Sequence, residues 1–251
     1  MIMKRWMFSC RGFAMVLMVS ALVSACALQQ NATVMSPSTG EATHDDATAK
    51  KKRFFAFMRP AVERENARIL EQREYVLKLR HRGRLGHRDL IRLNALARDY
   101  GLSSMDWRKQ ESWDALLMRI DIIPTGLVLV QAANESAWGT SRFAREGNNY
   151  FGEWCFTKGC GIVPRSRAPG ATHEVERFAS VQDSVRSYMH NLNTLPAYAH
   201  FRQLRAMKRR KGQEPDALTL SVGLKQYSER GSDYVKTLQG MIKQNAPLMG
   251  G

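Results

Sequence analysis

The segment TGLVLVQAANESAWG, residues 125–139, constrains the fold more than any other part of this chain. From Thr125 to Gln131 it is nearly apolar on every side, and a helix with that pattern is stable only when other elements surround it. Pro124 suits the first helical position, where a missing N–H costs nothing, and Gly139 supplies a stop. The spacing predicts a central buried helix ending in a carboxylate, Glu135, on the same face as Gln131 and Leu127. A carboxylate there is partly desolvated, and the negative end of the helix acts on it in the same sense. Both effects disfavour the ionised form and raise the pKa. A carboxylic acid that keeps its proton near neutral pH can protonate a leaving oxygen. The competing reading is structural: an exposed glutamate at a fraying helix end, or a partner for Arg142.

The flanking sequence supplies the helices that such a core needs. From Phe54 onward Pro60, Val62, Ile69, Leu70, Val76 and Leu79 alternate with Glu63, Glu65, Arg68 and Arg73. Leu85, Leu90, Ile91, Leu93, Leu96 and Ala97 continue the three-and-four spacing until Tyr100-Gly101. A short helix is expected around Trp113–Leu117. Helical spacing resumes at Val181, with Val185, Tyr188, Met189 and Leu192, and further helices are expected at roughly 198–208, 216–227 and 232–245. Between them, the stretch after Trp138 is rich in glycine, aromatic and turn residues. Short strands are expected there around Gly161–Pro164 and His173–Phe178. The expected class is mainly α (α+β), a helical body with a small β-containing lobe.

The N-terminus reads as an address. Lys4, Arg5 and Arg11 flank an apolar run from Phe13 to Val23. That run is too short to span a bilayer, which takes about 20 residues, and it fits an export signal over residues 1–25. Val-Ser-Ala-Cys at its end resembles a bacterial lipobox, which implies lipidation of Cys26. Leu28 at the second position after the cysteine resembles the outer-membrane class. Residues 26–48, rich in Ala, Thr, Ser and Gln, read as a flexible tether. Loss of Lys4, Arg5 and Arg11 with the leader takes the net charge from +15 to +12. For an exported chain the expected partners of that charge are anionic headgroups and carboxylate-bearing wall polymer rather than nucleic acid. Cys155 and Cys160, in WCFTKGC, can close a small disulfide loop in an oxidising compartment. A metal site would need two more ligands, and only His173 is near in sequence.

The residues around Glu135 carry a family resemblance. Gln131, Ala132, Glu135, Ser136, Trp138, Gly139 and Ser141, followed by Asn148, Asn149, Phe151 and Gly152, resemble the glucosaminidase motif of peptidoglycan hydrolases, glycoside hydrolase family 73. Tyr227, Tyr234, Lys236 and Leu238 resemble its distal Tyr-containing segment. With FFAFMRPAVERENARIL upstream, the whole chain is similar to the Bax-like glucosaminidases. The resemblance implies a lysozyme-like two-lobe fold and hydrolysis of β-1,4-linked N-acetylglucosaminyl bonds, an endo-β-N-acetylglucosaminidase activity, with Glu135 as general acid.

It implies a second carboxylate from the lobe, for which Glu174 is the first choice, Glu176 nearly as good, and Glu153 the third acid present. Alternatively the substrate's own acetamido oxygen attacks the anomeric carbon, and Tyr227 orients it. Asn149, Tyr150, Phe151 and Trp138 are the expected substrate contacts, although each also suits turn or core packing. Arg165, Arg167 and Arg177 are expected to meet the polymer's carboxylates.

On this reading residues 49–120 are an N-terminal helical segment and 121–248 the glucosaminidase domain. No cofactor or metal is implied, and the partners are peptidoglycan strands and, through the anchor, a membrane; a monomer is expected. The rivals are a lytic transglycosylase, although its Gly-Leu-Met-Gln continuation is missing, and a non-catalytic wall-binding lipoprotein.

Overall fold

The computed structural model describes residues 44–250. The expected leader, Cys26 and most of the tether lie outside them. Nine α-helices and three short strands are described: α1 His44–Arg82, α2 His87–Asp99, α3 Gln110–Arg119, α4 Thr125–Glu135, α5 Arg142–Gly147, β1 Trp154–Cys155, β2 Gly161–Ile162, β3 Glu174–Glu176, α6 Val181–Thr194, α7 Ala199–Arg210, α8 Ala217–Ser221 and α9 Ser232–Met249. The mainly helical fold with a small β-containing lobe is the lysozyme-like arrangement expected from the sequence. Among the described residues no helix is long and apolar enough to cross a membrane.

Helix α4 occupies the centre because its sequence leaves it no alternative. Every residue from Leu127 to Ala133 is buried, and α1, α8 and α9 pack around it. Pro124 is the N-cap rather than the first helical residue; its extended ψ of 125° ends the incoming segment.

Helix α1 is a single rod of 39 residues. Phe54, Phe55, Met58, Val62, Ile69, Val76 and Leu79 are buried along one stripe, which lies against α4, α6, α9 and α3. Pro60 sits within the rod on its exposed side. The rod begins inside the segment expected to be a flexible tether through residue 48. Asp45 and Asp46 in its first turn complement the positive helix end, and Ala47 and Ala49 favour helix. In α2 only Leu93 and Ala97 are buried, while Leu90 and Ile91 stay exposed.

Two arginines of α7 fasten the connections. Asp121 accepts from Arg209 at 3.0 and 3.1 Å. The Arg205 guanidinium, wholly enclosed, donates to the carbonyls of Met118, Arg119, Asp121 and Ile122. The loop before α4 is thereby tied to α7.

The lobe holds a three-stranded antiparallel sheet in the order β1-β3-β2. Trp154 pairs with Val175, and Gly161 with Glu176. A side chain at Gly161 would place its Cβ 2.0 Å from the Val175 carbonyl oxygen, so only glycine lets β2 approach β3.

Candidate active site

The C-terminal end of α4 is built to hold Glu135 in one orientation. Ser136 follows it, and its hydroxyl donates to the Ala132 carbonyl at 2.6 Å and accepts from the Gly139 N–H at 2.8 Å. Ala137, Trp138 and Gly139 then take three successive left-handed conformations, with φ of 51°, 60° and 78°. For the first two this costs about 1–2 kcal/mol each, and the Ser136 staple together with Trp138 N–H to Ala133 O at 2.8 Å holds them there. The turn drives Trp138 against Phe54 and Phe55 of α1, at ring separations of 5.8 and 5.3 Å.

The Glu135 side chain is half-buried. Its Oε1 accepts from the Tyr234 hydroxyl at 2.8 Å and from Asn134 Nδ2 at 2.9 Å. Among the described residues none donates to Oε2. Behind it runs a polar chain through the core: Gln131 Nε2 donates to the Tyr234 oxygen at 2.9 Å, and the Tyr188 hydroxyl donates to Gln131 Oε1. Burial raises the pKa of Glu135; the donors Asn134 and Tyr234 and the Arg230 cation oppose that without cancelling it. Gln131 and Glu135, on the expected face of α4, are thus linked through the Tyr234 hydroxyl, which α9 supplies. Arg142 is not its partner: that guanidinium lies beside Glu146, at 3.9 Å, and donates to Val163 O.

Tyr227, the expected orienting tyrosine, stacks on Tyr234 at 5.5 Å with the planes 7° apart. Its hydroxyl donates to the Phe151 carbonyl at 2.7 Å. The hydroxyl bonded to the candidate acid therefore belongs to Tyr234. The signal was present, since Tyr234 stands in the distal motif seven residues after Tyr227, but spacing alone does not rank two neighbouring tyrosines.

The Asn148–Gly152 turn is largely architectural. Asn148 is left-handed at φ 49° and its Nδ2 donates to Phe178 O. The Asn149 side chain is buried and saturated: Nδ2 donates to the carbonyls of Glu153 and Glu176, both at 2.9 Å, and Oδ1 accepts from the N–H groups of Phe151 and Glu153. Phe151 is buried, stacked on Tyr188 at 3.9 Å. In this conformation neither side chain has a free group to offer a sugar, because both fasten the lobe to the body. Tyr150 packs against Phe54 and Phe57, at 6.4 and 5.9 Å, and lines a groove shared with Trp138.

The three lobe acids have different surroundings. Glu174 accepts from the Gly159 N–H at 2.9 Å on Oε1 and from the Gly161 N–H at 2.8 Å on Oε2. These backbone donors hold its carboxyl below the usual glutamate range. It serves as the internal strut of the loop closed by the Cys155–Cys160 disulfide, with both carboxylate oxygens taken by backbone donors. Both sulfurs and a Glu174 oxygen lie within 4.8 Å of one another, and the disulfide takes up both thiols. Glu176 is half-buried, and burial pushes its carboxyl up.

Glu153, the third lobe acid, is the most perturbed of the three. Its Oε1 accepts from Ser187 at 3.2 Å and from Asn191, while its buried Oε2 has no partner among the described residues. Burial pushes its carboxyl up to about 8, with Ser187 opposing and Glu176 reinforcing the shift. The fields of Glu135 and Glu153 both reach Tyr188 and Tyr198.

Among the lobe arginines, Arg177 donates to Glu146 O and Arg167 to His173 O. Arg167 and Arg177 therefore each have a backbone carbonyl as partner.

Comparison with known proteins places this geometry. Residues 110–247 match the family model described as mannosyl-glycoprotein endo-beta-N-acetylglucosaminidase, the glucosaminidase domain. The chain is 36% identical to Protein bax of Escherichia coli strain K12 over 206 residues, which covers 82% of this chain and 73% of that protein. No solved structure matches it. The family match covers over half the chain, and the identity to Protein bax extends over most of it: the chain belongs to the Bax-like glucosaminidases.

Proposed function

We propose that this protein hydrolyses β-1,4-linked N-acetylglucosaminyl bonds in peptidoglycan, with Glu135 as general acid. The observation that carries the reading is the asymmetry of the Glu135 carboxyl. Two donors fix Oε1, burial favours the protonated form, and Oε2 is left without a protein partner among the described residues. A proton on Oε2 is therefore held in a set direction and is available to a leaving glycosidic oxygen. As that bond breaks, positive charge develops on the sugar and has to be stabilised or captured. With Glu174 engaged by its loop, the substrate's acetamido oxygen is the favoured nucleophile; of the two remaining lobe acids burial keeps Glu153 protonated, which leaves Glu176 to assist. The leader and lipobox-like sequence support an exported lipoprotein on the periplasmic face of the outer membrane, where this polymer is at hand.

The test is digestion of purified sacculi by the unmodified chain and by Glu135→Gln, with the new chain ends identified by mass spectrometry. General acid catalysis is worth about 10²–10⁴-fold, so the amide variant should be slower by about that factor. The new ends should be reducing N-acetylglucosamine. Digestion at an undiminished rate, or anhydro-sugar ends, would overturn the reading, and the latter would point to transglycosylation.

A further inference from the structure

The long helix α1 precedes the matched residues 110–247, yet it forms one wall of a groove against the turn that follows Glu135. The groove is lined by Lys50, Arg53, Phe54, Phe57, Trp138 and Tyr150 and has a volume of about 280 Å³. That is just under the range typical of drug-sized sites, which suits one ring and its substituent rather than a length of chain. Three features give it a chemical character. Its walls are aromatic: Phe54 lies 5.8 Å from Trp138 and 6.4 Å from Tyr150, and Phe57 lies 5.9 Å from Tyr150. Phe57 is 53% exposed, a large apolar ring held open to water that the core does not explain.

The second feature is charge. Lys50, Lys51 and Arg53 stand at the rim, Lys51 Nζ lies 5.4 Å above the Trp138 ring, and no lining residue is acidic. Most arginines of the body have carboxylate or carbonyl partners, whereas none of these three cations is paired with a carboxylate among the described residues. The third feature is position. Trp138 sits on the Ser136-stapled turn three residues after Glu135, so the groove and the candidate acid share one rigid support.

We infer that this groove is a substrate subsite contributed by α1, one that takes an acylated amino sugar whose substituent ends in carboxylates. The inference rests on the peptidoglycan reading above and deepens it. In that polymer the alternate sugar carries a lactyl-linked peptide with free carboxylates. A sugar's C–H face packs on the rings, and the carboxylates meet Lys50, Lys51 and Arg53. A membrane surface fits less well, because Phe54 and Tyr150 are recessed, at 6% and 7% exposed, and a flat sheet of headgroups cannot reach them.

The test uses the full chain carrying Glu135→Gln, so that binding is read without turnover. It is titrated by calorimetry with a soluble disaccharide-peptide, with the same compound amidated at its carboxylates, and with vesicles of anionic phospholipid. The free acid is expected to bind at least about ten-fold more tightly than the amide, since each factor of ten is about 1.4 kcal/mol, a modest return for partly exposed charge pairs made together. In the Lys50→Glu/Arg53→Glu variant that gap closes, and Phe57→Ala weakens both compounds several-fold. Both substitutions lie on exposed α1 positions, so the fold is retained, which circular dichroism checks.

Equal affinity for acid and amide, or a gap that survives the charge reversal, overturns the inference. A charge reversal that abolishes vesicle binding and leaves the gap intact overturns it in favour of a lipid surface. Sacculus digestion by the unmodified chain tests the parent reading separately: cleavage without the affinity gap sinks the groove alone, and an affinity gap without cleavage sinks the hydrolase.

Discussion

The end of α4 and the disulfide-tied lobe treat the same functional group in opposite ways. At Glu135 the carboxyl meets two side-chain donors on one oxygen within a largely apolar setting, and its pKa is raised. At Glu174 each oxygen receives a backbone N–H from a loop wrapped around it, and its pKa is lowered. The first arrangement favours a proton that can be given away. The second favours a fixed negative charge that organises backbone. The difference comes from what surrounds each group rather than from residue type or exposure class, since desolvation dominates one and hydrogen bonding to the charged form dominates the other. Glu153, at the joint between the two regions, takes the first pattern further than Glu135 does.

Glu153 gives the largest way to break that comparison. Its folded pKa of about 8 lies above its ordinary 4.5. The folded protein therefore binds a proton more tightly than the unfolded chain, and stability falls as pH rises between those values. The contribution is fully present below about 4.5 and is lost by the time pH has passed 8. At about 1.4 kcal/mol per unit the drop is on the order of a few kcal/mol, large against the roughly 5–15 kcal/mol of a typical domain. Urea unfolding of Glu153→Gln across that range should show a flatter pH dependence. A uniform cost of the amide shifts the curve without changing its slope. If the slope is unchanged, Glu153 is not held neutral and the lobe root does not resemble the end of α4.

The disulfide gives a smaller and more local effect. Cys155 and Cys160 enclose four residues, and closing so short a loop is worth about 2 kcal/mol by chain entropy. Replacing both by serine should lower stability by that amount. Hydrogen exchange should speed up at the Gly159 and Gly161 amides, which donate to Glu174, while the α4 amides keep their protection. Equal loss of protection in α4 would mean that lobe and body open together, and the two regions would not be independent.

How much of this was legible in the sequence depended on range. Periodicity located the buried α4, the stop at Tyr100-Gly101, and the segments that became α6, α7 and α9, because each is fixed by local spacing. The strands at Gly161–Ile162 and Glu174–Glu176 fell within the expected stretches. The roles of Glu174 and Asn149 were not legible, because both are set by backbone donors and acceptors that no pattern reveals. Glu153 was invisible as a perturbed acid for the same reason: its neighbours Ser187 and Asn191 are more than 30 residues away and its burial is tertiary. The α1 groove was unreadable because Phe54 and Phe57 meet Trp138 and Tyr150, respectively, only once the rod has packed on the turn.

The smallest expected effect separates Tyr234 from Tyr227. Tyr234→Phe keeps the ring stack but removes the donor to Glu135 Oε1 and the acceptor for Gln131 Nε2. The Tyr234 hydroxyl lowers the pKa of Glu135, so without it the acid holds its proton to higher pH. A general acid works only while protonated, so activity fades as pH climbs past its pKa. The basic limb of the pH–rate profile should therefore move upward. One hydrogen bond is worth on the order of 1 kcal/mol, which sets a shift of roughly half a unit to one unit. The rate at the optimum should fall several-fold because Oε1 is less firmly held. Tyr227→Phe should leave the limb in place, since that hydroxyl serves the Phe151 carbonyl. If the Tyr227 variant moves the limb and the Tyr234 variant does not, the proton affinity of the Glu135 carboxyl is controlled from the lobe joint rather than from α9, and the contrast between the two regions would have to be drawn elsewhere.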